Sequence, residues 1–141
     1  MKKFLLALML LGAVSAVAAT NSDKAQYPDG TYRGVYVSSQ ETQVELQFDL
    51  KNDVITKINY RTLQYKGHDW LNEDEYKAKN GGYMKLLERI TNKKVQDVMP
   101  TMYNSEEIEK GGATVREMKV RSALQYGLNL GPFRLPKKEA K

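Results

Sequence analysis

The sequence predicts an α+β domain in which an antiparallel sheet is covered on one side by two or three helices. Strand-type patterns come first, between residues 31 and 63, and helix-type patterns follow between residues 83 and 128. Tight-turn signals separate the strand segments, which favours an antiparallel meander. After its N-terminal segment the chain has the length of one ordinary domain with a single core.

Residues 1–18 have the pattern of a secretory signal peptide. Lys2-Lys3 supply the charged region, Phe4 to Val14 the apolar region, and Ala16-Val17-Ala18 a small-residue cleavage site. The apolar run is too short for a stable membrane anchor. The chain has no cysteine, which excludes a lipid-modified cysteine, disulfides and thiolate metal sites. We therefore expect an exported protein of the periplasm or cell exterior that begins near Ala19 and has no integral membrane span.

The charge balance is mildly basic. The whole chain carries a formal net charge of +5, and without Lys2 and Lys3 the remaining 20 basic and 17 acidic residues give +3. This balance suits an anionic ligand or surface and does not indicate nucleic-acid binding, because nucleic-acid binders concentrate their charge into a patch. The densest basic run, Pro136 to Lys141, is assigned to a basic tail over residues 133–141.

Three strands are expected after a polar leader over residues 19–28, which ends in the turn signal Pro28-Asp29-Gly30. Thr31 to Ser39 is rich in tyrosine and valine, and Val54 to Leu63 follows the tight turn Lys51-Asn52-Asp53. The segment between them, Thr42 to Leu50, alternates between apolar and polar residues. One face of the sheet is therefore predicted to be core and the other wet, with the core face of this strand formed by Val44, Leu46, Phe48 and Leu50.

Aromatic residues on and after these strands have two interpretations. As stacking surfaces they suit a flavin ring, and as ordinary β-formers they belong to a half-buried sheet; the residues concerned are Tyr32, Tyr36, Tyr60 and Tyr65. Trp70 either closes over a ligand or fills the edge of the core with its N–H near the surface. His68 is the only histidine, and because no nucleophile with a recognisable context accompanies it, we expect an exposed loop residue without a catalytic role.

Helices are predicted in the second half of the chain. After Gly81-Gly82, apolar residues recur at helical spacing and indicate a helix that ends near Thr91-Asn92, with the stripe Tyr83, Leu86, Leu87 and Ile90. Residues 93–99 predict a short helix stopped by Pro100. The final helix, over residues 115–128, has two apolar faces, so we expect it to be sandwiched. One face holds Ala113, Val120, Ala123, Leu124 and Gly127, and the other holds Val115, Met118 and Tyr126.

The candidate site lies at the start of this last helix, in Gly111, Gly112, Ala113 and Thr114. Paired glycines allow a ligand to approach the backbone closely. Thr114 is the expected N-cap, and a helix N-terminus presents free N–H groups that suit a phosphate. A purely structural interpretation also holds, because Thr114 and Glu117 have the spacing of a capping box.

Three segments together resemble the FMN-binding domain family. Gly112-Ala113-Thr114 is similar to the core of the family's Ser/Thr-Gly-Ala-Thr motif, Asp29 to Gly34 to its opening Asp-Gly-Thr-Tyr-x-Gly, and Asn52 to Ile58 to its second signature. They occur in the family's order. The family includes small exported proteins and the flavin-bearing subunits of sodium-translocating NADH:quinone oxidoreductases. The resemblance implies an FMN-binding-like domain over residues 29–132.

The resemblance also implies a cofactor and partners. In many family members the last threonine of the motif carries FMN through a phosphoester that a flavin transferase installs, and that role falls on Thr114. Gly111 stands where the family has Ser or Thr, and Ile108 stands where it has an acidic residue. The implied function is that of an electron carrier in cell-envelope electron transfer, with envelope redox proteins as partners and with neither catalytic residues nor a metal site. The alternative is a flavin-free exported binding module with a degenerate motif.

Overall fold

The computed structural model describes residues 24–102 and 113–137. These residues form a sheet of four strands in the order β1-β2-β3-β4, in which every neighbouring pair is antiparallel, and the helices lie mainly after the strands. The predicted α+β fold, a meander followed by helices, is confirmed. The elements in chain order are β1 (Gly30–Ser38), β2 (Glu41–Lys51), β3 (Val54–Tyr65), β4 (His68–Asp69), α1 (Asp74–Lys77), α2 (Gly81–Ile90), α3 (Val95–Thr101) and α4 (Ala113–Leu130).

The alternating pattern of β2 sets the two faces of the sheet as predicted. Val44 and Leu46 are completely buried, and Phe48 is 1% exposed, so this face of the strand forms the centre of the core. Asn52 and Asp53 form the two-residue turn to β3, and both have positive φ, as a type I′ hairpin turn requires. The buried stripe of α2, formed by Leu86, Leu87 and Ile90, faces the same core.

Asp53 fastens the chain before β1 to the sheet. Its carboxylate accepts hydrogen bonds from the backbone N–H groups of Gln26, at 2.8 Å, and Tyr27, at 2.9 Å, and from Gln96 Nε2 at 2.8 Å. Burial alone raises the pKa of this carboxyl, but these hydrogen bonds and the charge of Lys94 outweigh burial, and the pKa is lowered. The carboxylate form therefore holds three segments of the chain together.

The chain between β3 and α4 differs from the prediction. The sheet gains β4, and α1 forms between the predicted strands and the helix predicted after Gly81-Gly82. Pro100 lies within α3, which ends at Thr101, so the prediction that Pro100 stops this helix is wrong and the helix ends two residues later than residue 99. At the last turn of so short a helix, the missing N–H of a proline removes a single hydrogen bond, and the helix tolerates it.

The last helix crosses β1 at a contact between two backbones. A Cβ atom added to Gly34 would lie 1.7 Å from the carbonyl oxygen of Ala123 and 2.7 Å from the backbone nitrogen of Gly127. On the helix side, a Cβ atom added to Gly127 would lie 2.9 Å from the carbonyl oxygen of Arg33. Helix α4 thus rests on β1 where glycines remove the side chains, and Val120, Ala123 and Leu124 become completely buried.

Both ends of α4 extend the predicted helix. The helix already includes Ala113, so the expected cap residue Thr114 lies inside it. Its second apolar face is not sandwiched by the described residues, because Val115 and Tyr126 are 47% and 49% exposed. None of the helices in the described ranges is long and apolar enough to cross a membrane.

The first residues of the predicted tail lie beside β1. The backbone N–H of Phe133 donates to the carbonyl oxygen of Thr31 at 2.9 Å, and the N–H of Thr31 donates to the carbonyl oxygen of Arg134 at 2.7 Å. A single antiparallel bridge between Thr31 and Arg134 therefore covers the first residues of β1, which is an edge strand of the sheet.

Candidate functional site

The sequence-predicted site is only partly described. Gly111 and Gly112 lie outside the described residues, as does Ile108. Ala113 and Thr114 are the first two residues of α4, and the structure describes only their place in the helix. The surroundings of the site are therefore defined by the residues that follow Thr114 and by the elements that they contact.

A cavity of about 230 Å³ lies against the first turns of α4. Its walls come from the end of β3, from the segment after β4, from α2 and from α4. We call it the aromatic pocket, and it is lined by Leu63, Gln64, Tyr65, Trp70, Tyr83, Val115, Arg116 and Lys119. Pockets for complete drug-sized ligands usually have about 300 to 1,000 Å³. The aromatic pocket therefore has room for a ring system, with the rest of a larger ligand outside it.

Aromatic rings in edge-to-face contact form one wall of this pocket. The rings of Trp70 and Tyr83 are 6.2 Å apart at an interplanar angle of 73°, and Tyr60 contacts Tyr83 from behind at 6.0 Å. The hydroxyl of Tyr60 also donates to the carbonyl oxygen of Tyr83 at 2.8 Å. Burial raises the pKa of the Tyr83 phenol, although Arg116 opposes the shift, so this wall stays neutral at physiological pH. These contacts fix the rings in place before any ligand arrives.

Lys119 brings an unpaired positive charge to the pocket. The residue is 6% exposed, and its Nζ lies 4.6 Å from the centre of the Tyr65 ring. Within residues 24–102 and 113–137 its ammonium has neither a hydrogen bond nor a carboxylate at ion-pair distance. Burial lowers the pKa of Lys119, and the more distant charge of Glu41 opposes that shift. A partly desolvated ammonium whose partner in the described residues is an aromatic ring would gain from contact with an electron-rich ligand.

Trp70 brings a second unsatisfied donor. Its indole Nε1 is buried and has no hydrogen-bond acceptor in the described part of the chain. The prediction that this N–H lies near the surface is therefore wrong. The backbone of Trp70 is fixed by its neighbours, because its carbonyl oxygen accepts from Asn80 Nδ2 at 2.8 Å and its N–H donates to the carbonyl oxygen of Leu63 at 2.8 Å. Since buried donors are normally paired, this N–H is available to an acceptor atom of a ligand.

The four tyrosines considered as stacking surfaces have different positions. Tyr65 lines the pocket. Tyr32 is completely buried in the core, where its ring stacks on Phe48 at 5.2 Å, and Tyr36 and Tyr60 pack against the same core. Ordinary β-former roles therefore account for three of the four. Among the pocket residues that the sequence did not indicate as site residues are Tyr83, Arg116 and Lys119.

His68 lies outside the aromatic pocket. Its Nδ1 is 3.2 Å from Glu73 Oε2, its ring stacks on Tyr76 at 4.2 Å, and its side chain is 47% exposed. It is exposed as predicted, although it belongs to β4 and not to a loop. In the described ranges no group of three or more metal-ligating His, Asp or Glu side chains is present.

Comparisons with known proteins give no relative. No family model matches the chain, and no curated protein or solved structure is significantly similar to it. A functional assignment therefore depends on the motifs in the sequence and on the chemistry of the aromatic pocket.

Proposed function

We propose that this chain is an exported FMN-binding protein that carries flavin in electron transfer at the cell envelope. The observation that carries the proposal is the aromatic pocket at the start of α4, where the buried Trp70 Nε1 has no acceptor and the Lys119 ammonium has no carboxylate at ion-pair distance in the described residues. The pocket lies at the first turns of the same helix whose first residues, Ala113 and Thr114, belong to the Gly-Ala-Thr motif.

The donors present in the pocket fit a flavin. An isoalloxazine ring is planar and offers carbonyl oxygens and ring nitrogens as acceptors, which suits the indole N–H of Trp70 and the ammonium of Lys119. Tyr65 and Tyr83 supply aromatic walls against which a ring can pack. A pocket that holds only the ring leaves the ribityl phosphate outside it.

The bound flavin would supply the redox chemistry, and the chain would bind and orient it. Proteins of the cell envelope would then be the electron donors and acceptors. Where the attachment is covalent, a flavin transferase would move the FMN group of FAD to the Thr114 hydroxyl, with AMP as the leaving group. We include export in the proposal because residues 1–18 have the signal-peptide pattern.

One mass measurement tests export and attachment together. The full chain is co-expressed with a flavin transferase, and the intact mass of the exported protein is determined for the wild type, Thr114→Ser and Thr114→Val. We expect wild type and Thr114→Ser to begin near Ala19 and to carry the mass of one FMN ester, because both have a hydroxyl at position 114. Thr114→Val is expected to have the same start and no added mass.

Other outcomes of this measurement would correct particular parts of the proposal. A chain that still begins at Met1 would contradict export. Added mass on Thr114→Val would place the attachment at another residue. If no variant gains mass and the native wild type does not bind FMN, the flavin-free binding module becomes the better assignment, as the Gly111 and Ile108 departures from the family motif allow.

A further inference from the structure

A second cavity adjoins the aromatic pocket on the other side of Arg116. It has a volume of about 230 Å³ and lies between the first half of α2 and the first turns of α4. We call it the basic pocket, and it is lined by Gly82, Lys85, Leu86, Arg89, Arg116 and Glu117. Arg116 lines both cavities, so a ligand that occupied both would pass this side chain.

Two of the three cations of the basic pocket have no anionic partner in the described residues. Arg89 Nη2 is held by Glu117 Oε1 at 3.1 Å. Lys85 has no hydrogen bond or ion pair within the described ranges, and Arg116 has only the ring of Tyr83, 5.9 Å from its Cζ. Like charges on facing helices repel each other, so an anion between Lys85 and Arg116 would stabilise this arrangement.

Gly82 permits the position of Arg116. A Cβ atom added to Gly82 would lie 2.5 Å from Arg116 Cζ, so the guanidinium packs directly on the backbone of the first turn of α2. That turn has no acidic residue, and Asn80 forms no side-chain cap. A guanidinium at the positive end of a helix is unfavourable unless an anion joins it. The adjoining aromatic pocket independently supports a ligand, because it is lined by Trp70, whose buried indole N–H has no acceptor within the described residues.

We propose that the basic pocket binds the phosphate of the ligand whose ring occupies the aromatic pocket, and that Arg116 and Lys85 select phosphorylated over unphosphorylated flavin. This inference rests on the proposed function. Thr114 and Arg116 both belong to the first turn of α4, two residues and thus about 3 Å apart along the helix axis. A guanidinium and an ammonium provide charge-assisted hydrogen bonds to phosphate oxygens, and an uncharged alcohol gains little from them.

The first experiment compares FMN with riboflavin. Dissociation constants for both are measured for the wild type, Arg116→Gln, Lys85→Gln and the control Lys77→Gln, which removes one charge from exposed α1. We expect Arg116→Gln to weaken FMN binding about tenfold more than it weakens riboflavin binding, since only FMN loses a charge-assisted contact to its phosphate. Lys85→Gln should act in the same direction, and Lys77→Gln should resemble the wild type. A wild-type preference for FMN that survives in Arg116→Gln would overturn the inference.

Gly82→Ala tests the geometry without changing any charge. Alanine favours the helix, so this variant should be at least as stable as the wild type. Its methyl group displaces the guanidinium of Arg116, and we expect a weaker preference for FMN over riboflavin. Undiminished preference in a folded Gly82→Ala protein would contradict the position assigned to Arg116.

Inorganic phosphate separates this inference from the proposed function. At constant ionic strength, phosphate in place of chloride should raise the melting temperature of the wild type, and Arg116→Gln should abolish the rise. A phosphate effect that requires Arg116, without binding of either flavin, would support the anion site and contradict the flavin proposal. Flavin binding, with neither a phosphate effect nor a change in preference that depends on Arg116, would overturn this inference alone. A chain that responds to neither phosphate nor flavin would overturn both.

Discussion

Gly34→Ala is expected to lower the free energy of unfolding by about 3 kcal/mol or more, because overpacking against a backbone has no flexible side chain to absorb it. The added Cβ would lie 1.7 Å from the carbonyl oxygen of Ala123, so α4 has to move away from β1. Urea denaturation measures the change. The control is Gly81→Ala, where a new Cβ meets nothing within 4 Å and the free energy should stay near the wild-type value.

A wild-type denaturation midpoint for Gly34→Ala, at an unchanged slope, would contradict the close crossing of α4 over β1. Gly34 is also the last residue of the Asp29 to Gly34 segment that resembles the FMN-binding family. The close crossing explains why this position is a glycine. Without a side chain at Gly34, α4 can pack on the sheet, and Thr114 belongs to the first turn of that helix. We therefore expect this variant to impair flavin binding through the fold and not through a ligand contact.

Lys119→Met is expected to stabilise the protein by about 1 kcal/mol or more and to weaken FMN binding about tenfold. Burial of this lysine disfavours its charge, and replacement by an apolar side chain of similar length removes that desolvation penalty. The same substitution removes a charged hydrogen-bond donor to the ligand, and FMN binding becomes weaker. Denaturation and FMN titration of the same preparation measure both effects. A destabilised Lys119→Met protein with unchanged FMN binding would contradict the role assigned to this lysine.

The same residue gives a pH dependence with a defined sign. Burial holds the pKa of Lys119 in the folded state below its ordinary value of 10.5, so between the two pKa values the unfolded chain binds more protons than the folded chain. The stability of the wild type relative to Lys119→Met should therefore rise as the pH increases through that window. Because the tyrosines titrate in both proteins, the difference isolates Lys119. A difference that stays constant up to pH 10.5 would show that Lys119 is not desolvated.

The sheet could be predicted from local pattern because its burial is periodic. Every apolar residue at alternate positions of β2, from Val44 to Leu50, lies in the core, and the turn residues Asn52 and Asp53 adopt the positive φ angles that a tight hairpin needs. The stripe of α2 was equally regular. Such features depend on neighbours within a few residues, so the sequence alone contains their physical cause.

The pocket could not be predicted in the same way, because its walls come from segments that only tertiary packing brings together. Trp70, Tyr83 and Lys119 are distant in sequence, and the position of the Trp70 N–H depends on how α4 lies across the sheet. One local signal was present. Lys119 directly precedes Val120, which belongs to the predicted core face of α4. A lysine beside a core residue is unusual, because lysines are rarely buried.

The most direct test of the central claim, that a flavin ring binds in the aromatic pocket, is a titration of the protein with FMN monitored by tryptophan fluorescence. Trp70 is the only tryptophan of the chain, and it lines the pocket, so the signal reports on this site alone. The proposal predicts saturable quenching with one FMN per chain, weakened about tenfold in Lys119→Met. Quenching that never saturates and equals that of free tryptophan under the same conditions would contradict it.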